Sequence, residues 1–182
     1  ILVKLTLSKE RNELAVETSS RNNYDSLVAI RFGLKMITLL DDDCAREYFK
    51  SVSSDQVNDL NDARLNNAYA QVYRGFAHYN LAIEYHKKSL NIYLKDHGES
   101  HPSVGISYNN IGLLLKNQGK YEQALEYYQK SLKIRLQIHG ESHPSVGTIY
   151  NNIGAVLVDQ GNYAEALEYY QKSLKIRLQI HG

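Results

Sequence analysis

The sequence has very few sulfur-containing residues. Its 182 residues contain one cysteine, Cys44, and one methionine. A lone cysteine excludes an internal disulfide and fits a reducing compartment. The chain does not open with a basic segment followed by an apolar one, so a secretory signal is not indicated. These absences predict a cytoplasmic protein in which Cys44 is a small core or surface residue rather than a reactive thiol.

An excess of charge of one sign is also lacking. Lys and Arg total 21 against 20 Asp and Glu, which gives a formal net charge of +1. Nucleic-acid-binding surfaces are normally rich in basic residues, so this balance argues against a DNA or RNA ligand. No run of about 18 apolar residues occurs, and no membrane span is therefore expected. No phosphate-binding glycine loop or nucleophile elbow is visible, so we expect a non-catalytic protein without a cofactor.

What the sequence does contain is a long internal repeat. Residues 99–140 recur as residues 141–182, and 33 of the 42 positions are identical. Both copies begin with ESHPSVG and end with KSLKIRLQIHG. Self-similarity at a fixed period of this length is typical of repeat proteins that stack into solenoids.

Weaker copies precede these two. In the copy just before them, Ala82 and Tyr85 match Ala124 and Tyr127 at the same 42-residue offset. Because the last copy ends where the preceding one continues into ESHP, we interpret the chain as part of a longer protein. The predicted organisation is a helical or linker segment at residues 1–23, a degenerate repeat at 24–56, and full repeats at 57–98, 99–140 and 141–182.

Each full repeat is predicted to form two helices. Apolar residues follow three-and-four spacing from Tyr121 to Ile138, which is typical of an amphipathic helix. Pro102 and Pro144 suit the first turn of the other helix, where the missing N–H has no partner to lose. Gly119 suits a left-handed position between the two helices. Both helices carry apolar residues on more than one face, so a single pair cannot bury them and the units must stack.

The order of large and small residues matches a known family. The large residues Tyr108 and Tyr128 alternate with the small residues Gly112 and Ala124. This pattern resembles the tetratricopeptide repeat, and the 42-residue period, the G-x-x-H-P-x-V linker and the YNN[IL]G first helix resemble its kinesin light chain type. The resemblance implies an all-α, right-handed solenoid of stacked antiparallel helix pairs. The small residues would mark the places where the two helices of a pair approach closely.

The resemblance also implies a ligand-binding surface, because in this family the first helices line a concave groove that accepts peptides. The groove positions carried over to this chain are Arg64, Asn67, Gln71 and Arg74, then Ile106, Asn109, Leu113 and Lys116, then Thr148, Asn151, Ala155 and Val158. Each repeat contributes one asparagine, whose amide offers two donors and an acceptor to a peptide main chain. The three basic residues would favour an acidic peptide or a terminal carboxylate. The alternative for the asparagines is that they only tie neighbouring helices together.

The nine differences between the two closest copies are unevenly placed. Six lie in the first helix, between residues 106 and 117, and three lie around the following turn. Residues 124–140 recur unchanged as 166–182. A helix that stacks on identical neighbours must stay the same, whereas a groove must vary to read a particular ligand. Recent duplication followed by chance drift is the alternative explanation.

Two histidine pairs invite a metal-site interpretation. His97 and His101, like His139 and His143, are four residues apart. A zinc site needs three or four ligands, and glycine and proline interrupt the helix here. We therefore predict a capping and linker role for these histidines.

The C-terminal repeat has no following copy in this sequence. We expect Ile176, Leu178 and Ile180 to form an exposed apolar face there, with end-to-end self-association as the consequence.

Together these observations predict a scaffold that binds a protein or peptide ligand in a groove. One alternative is a regulatory sensor array within a larger multidomain signalling or effector protein. Another is a helical-repeat RNA binder, against which the near-zero net charge argues.

Overall fold

The computed structural model describes residues 63–181, apart from the side chains of Leu65, Ile180 and His181. The predictions for residues 1–23, for residues 24–56 and for Cys44 lie outside the described residues. Between residues 63 and 181 the chain forms six α-helices and no strand. The helices are α1 (Ala63–Gly75), α2 (Tyr79–His97), α3 (Pro102–Asn117), α4 (Tyr121–His139), α5 (Pro144–Asp159) and α6 (Tyr163–His181).

The helices pack in chain order. Each one contacts the next, so that α1–α2, α3–α4 and α5–α6 form pairs and every pair packs on its neighbour through α2–α3 or α4–α5. The first helices α3 and α5 also meet directly. This arrangement confirms the predicted all-α helical-repeat solenoid for the described residues. None of these helices is both long and apolar enough to cross a membrane.

The first helices α3 and α5 begin as their sequence dictates. Pro102 and Pro144 occupy the first turn, as predicted. The preceding histidines supply the N-cap, because the imidazoles of His101 and His143 accept hydrogen bonds from backbone N–H groups two residues later. The capping role predicted for these two histidines is therefore confirmed. No group of three or more candidate metal ligands occurs within residues 63–181.

The turn inside each helix pair requires a positive φ at one position. Gly119 has φ +73° and Gly161 has φ +81°, as predicted for Gly119. The N–H of Lys120 donates to the carbonyl of Leu115 at 2.9 Å, the long bond of a Schellman motif. In the α1–α2 pair the same position is Ala77, which adopts φ +56° although it has a Cβ atom.

Small residues set the distance between the helices of a pair. A Cβ atom on Gly112 would lie 3.0 Å from the ring of Tyr128 and 3.3 Å from the carbonyl oxygen of Ala124. The side chain of Tyr128 is fully buried. The predicted close approach of the two helices is therefore confirmed, and the ring of Tyr128 takes the space that a side chain at position 112 would need.

The outer face of α6 differs from the prediction at one residue. Ile176, expected to be uncovered, is only 5% exposed because it packs on Gly147 of its own pair. Leu178 is exposed, as expected, whereas the side chain of Ile180 lies outside the described residues. The exposed apolar residues of this face are Tyr163, Leu167, Leu174 and Leu178.

Candidate ligand-binding face

Each first helix presents three sides to different surroundings. In α3, Gly105 and Gly112 face α4, the second helix of their own pair. Ser107 and Leu114 each lie two residues further on, about 200° around a helix of 3.6 residues per turn. Both are fully buried, and α2 is the helix besides α4 against which α3 packs most, so we infer that this side faces the preceding pair. The remaining side lies between these two contacts and carries the predicted groove positions.

These predicted positions, which we call the groove residues, all reach the surface. Each of the twelve is exposed or half-buried, and no buried residue is among them. The five exposed members are Arg64, Arg74, Ile106, Thr148 and Val158. The three asparagines are half-buried, so each retains part of its side chain for contact with solvent or a ligand.

Two contacts join α3 and α5 across the boundary between their pairs. The Nδ2 atom of Asn152 donates to the Oδ1 atom of Asn109 at 2.9 Å. The ammonium group of Lys116 lies 3.2 Å from a carboxylate oxygen of Asp159. The asparagine contact lies in the middle of the helices, and the ion pair lies at their C-terminal ends. The groove residues of α3 and those of α5 therefore form one continuous surface.

These contacts also reveal what some of the groove residues already do. The side-chain oxygen of Asn109 accepts the bond from Asn152, which is the helix-tying role that remained as an alternative. The charge of Lys116 is matched by Asp159, so it attracts an acidic ligand less than an unpaired lysine would. Sequence reasoning missed Asn152 and Asp159, although both positions carry a signal in the sequence. Asn152 is the second asparagine of the YNN motif, and Asp159 replaces Asn117 at one of the nine positions where the two closest copies differ.

Asn67 in α1 has a different partner. Its Oδ1 atom lies 2.7 Å from Nδ1 of His86, whose side chain is 1% exposed. Burial, together with the positive charge of Arg74, lowers the pKa of His86 to about 4. The imidazole is therefore neutral near pH 7, and its Nδ1–H donates to Asn67. Sequence reasoning missed His86, although it stands where Tyr128 and Tyr170 stand in the other copies.

The charge of this surface changes along the array. On α1 it carries two exposed basic residues, Arg64 and Arg74. Between α3 and α5 the charges are paired. Ile106 near the start of α3 is 45% exposed, and Val158 near the end of α5 is 37% exposed, so these two helices also present apolar surface.

The differences between the two closest copies now separate into two kinds. Ser107 and Leu114, with their counterparts Ile149 and Val156, are fully buried on the side that faces the preceding pair. These two differences therefore lie in the packing between helices and not on the surface that carries the groove residues. The other four first-helix differences lie at exposed or half-buried positions, at residues 106, 113, 116 and 117.

The fold defines a class of protein, the helical-repeat proteins built from pairs of helices. In this chain, small residues lie where the two helices of a pair approach closely, and a capped linker joins one pair to the next. The sequence profile of the tetratricopeptide repeat matches residues 61–137 and 103–179. The chain belongs to the tetratricopeptide repeat family.

Solved structures of distant relatives share the fold. A putative kinesin light chain with nearly identical repeats from Podosopora anserina is 15% identical, with a TM-score of 0.74 over 98% of this chain and 88% of that one. BtubC (BKLC) from P. vanneervenii is 20% identical, with a TM-score of 0.64 over 94% and 69%. A Rap protein complexed with competence and sporulation factor is 19% identical, with a TM-score of 0.68 over 94% and 48%. No curated protein sequence matches the chain.

Proposed function

We propose that this array is a non-catalytic scaffold that binds a protein or peptide segment along the groove residues. The observation that carries the proposal is the continuous surface of α3 and α5. It crosses the boundary between pairs, and it differs between copies whose second helices are nearly identical. The Rap protein of the same fold, described as complexed with competence and sporulation factor, supports the use of such an array to hold a partner.

The distribution of charge defines the ligand further. An acidic segment fits over α1, where Arg64 and Arg74 are exposed and carboxylates can form charge-assisted hydrogen bonds. Apolar side chains fit over Ile106 and Val158. We place this scaffold in the cytoplasm, which the lone cysteine supports.

The proposal is tested with peptides selected from a phage-displayed library on the purified chain. The best binder is then titrated against the Asn151→Ala variant. Within residues 63–181, Asn151 makes no side-chain hydrogen bond to another residue, so truncating it tests ligand contacts without breaking a tie between helices. We expect affinity to fall by roughly threefold to tenfold, the effect of losing one or two hydrogen bonds. Gln171→Ala, an exposed amide on α6, is the matched control and should leave affinity unchanged.

Asn109 needs a control of its own because it also ties α3 to α5. Asn152→Ala removes this tie and leaves Asn109 in place. If Asn109 contacts the peptide, Asn109→Ala weakens binding more than Asn152→Ala does. Equal effects of these two variants, combined with full affinity in Asn151→Ala, would overturn the proposal, as would a library that yields no binder.

A further inference from the structure

Each linker between two helix pairs carries two histidines with stacked rings. The ring centroids of His97 and His101 are 4.3 Å apart, and those of His139 and His143 are 4.1 Å apart. In each pair, the first histidine ends a second helix and the other caps the next first helix. The stacked rings therefore join consecutive helix pairs at the point where the chain crosses between them.

The cap requires an unprotonated imidazole nitrogen. Nδ1 of His101 accepts the N–H of Ser103 at 3.2 Å, and Nδ1 of His143 accepts the N–H of Ser145 at 3.1 Å. Nδ1 of His143 also lies 2.8 Å from the hydroxyl oxygen of Ser145. Protonation turns both ring nitrogens into donors, so the acceptor disappears and the backbone N–H loses its partner. If the stacked histidine is also protonated, two positive charges about 4 Å apart repel each other.

The ionisable groups around the two histidine pairs are similar but not identical. On α2, the ring of Tyr93 lies 6.3 Å from His97 and 6.5 Å from His101. The equivalent residue on α4 is Arg135, one turn before His139, and its Nε atom donates to Ser131. Further charged or titratable groups near these histidines in the sequence are Lys95 and Asp96, which precede His97, and the linker carboxylates Glu99 and Glu141. Those two carboxylates act on the phenols of Tyr108 and Tyr150.

We propose that the two histidine pairs form a pH-sensitive joint between repeats. The neutral rings cap the first turns of α3 and α5, and protonation releases both caps and forces the stacked rings apart. Histidine is the side chain that ordinarily changes charge between pH 5 and 8. His97 and His139 are exposed and His101 and His143 are half-buried, so protons reach both pairs. This joint does not depend on what the groove residues bind.

The test measures hydrogen exchange of the Ser103 and Ser145 amides by NMR, on the full chain at pH 7.5 and pH 5. After correction for the intrinsic exchange rate, we expect protection of both amides to fall about fivefold at the lower pH, the effect of losing one N-cap bond. The amides of Ile111 and Ile153, in the middle of the same helices, report on global stability. Because protonation of buried His86 also lowers global stability at pH 5, the comparison is made in the His86→Gln background. There the protection of Ile111 and Ile153 should not fall by the same factor.

Asparagine separates capping from titration, because it is a good N-cap residue without a proton to gain in this range. In the His101→Asn and His143→Asn variants, protection of the two serine amides should therefore be the same at both pH values. His97→Phe retains a stacked ring without charge, and it should reduce the loss of protection at Ser103 without abolishing it. Unchanged protection in the parent chain at pH 5, or an equal loss in the asparagine variants, would overturn the proposal.

Discussion

The three described copies differ at single positions, and each difference can be treated as a substitution made in an otherwise similar repeat. Gly119 and Gly161 hold the positive φ of the turn, whereas the α1–α2 pair uses Ala77. Tyr128 and Tyr170 occupy the place that His86 takes in that pair. Ala77 and His86 each carry a free-energy penalty that the equivalent residues of the other copies do not. The other copies therefore indicate which substitution should remove that penalty.

Replacing Ala77 with glycine should stabilise the protein. An alanine with φ +56° carries a steric penalty that glycine does not, and the gain should be about 0.5–1 kcal/mol after glycine's greater entropy in the unfolded chain is subtracted. The reciprocal control, Gly119→Ala, should destabilise by a similar amount, because a Cβ atom there meets nothing within 4 Å and only the backbone penalty acts. Urea unfolding monitored by circular dichroism measures both changes. Finding Ala77→Gly neutral or harmful would show that the turn is not strained.

His86 should make stability depend on pH. Its pKa is about 4 in the folded protein, because of burial first and Arg74 second, whereas an unfolded histidine titrates near its ordinary value of 6.5. Between these values the unfolded chain binds a proton that the folded chain does not. The contribution of neutral His86 is therefore complete above pH 6.5 and is lost as the pH falls to 4, with a total on the order of 3 kcal/mol.

The measurement compares urea unfolding at pH 7 and pH 5 for the parent chain and for His86→Gln. Glutamine is polar and neutral at both pH values, so the part of the pH dependence that His86 causes should disappear in this variant. Contributions from all other groups are common to the two proteins and cancel in the comparison. An identical loss of stability in the two proteins would contradict the prediction.

At the scale of the helix, the contact between the two helices of a pair depends on matched residues. Tyrosine at position 128 or 170 is matched by glycine at 112 or 154, where a Cβ atom would lie about 3 Å from the tyrosine ring. In the α1–α2 pair, the equivalent positions hold Ala70 and His86. The smaller imidazole ring therefore accompanies alanine, whereas the larger phenol ring accompanies glycine, and we expect the two positions to compensate each other in volume.

Gly112→Ala should destabilise the protein by about 1–3 kcal/mol, because the added methyl group overpacks the contact with Tyr128 and the backbone carbonyl of Ala124. Adding Tyr128→His should recover part of this loss, since the pair then matches Ala70 and His86. A double-mutant cycle in urea should give a favourable coupling of about 0.5–3 kcal/mol between the two positions. Additive effects of the two substitutions would show that the helix spacing is not set by this pair.

At the scale of the whole array, the sequence predicted regular features better than side-chain partners. Pro102 and Gly119 carry their conformational preferences with them, so helix starts and turns followed from local chemistry. The bond between Asn109 and Asn152 joins residues 43 positions apart, and its existence depends on how neighbouring first helices meet. The prediction for Ile176 was wrong because it also depended on tertiary packing. Ile176 is buried against Gly147 of its own pair rather than by a following repeat.

The same reasoning yields a prediction about removing one repeat. Deleting residues 99–140 or residues 141–182 gives chains of equal length, but the first deletion joins α2 to α5. Ile149 and Val156 then face a helix that normally contacts Ser107 and Leu114, and an isoleucine must fit where a serine was. We expect this chain to be less stable than the other by about 1–3 kcal/mol, the usual cost of overpacking. In the other chain, the α2–α3 and α3–α4 contacts are unchanged.

Urea unfolding of the two deletion chains measures the difference, with similar transition slopes expected because they expose similar surface. The substitutions Ile149→Ser and Val156→Leu restore the native pair of residues against α2 and should recover the lost stability. The same two substitutions in the full chain should be destabilising, since there they face α4. Equal stability of the two deletion chains would show instead that the buried differences between copies are drift that packing tolerates, and that the second helices accept either version of the first.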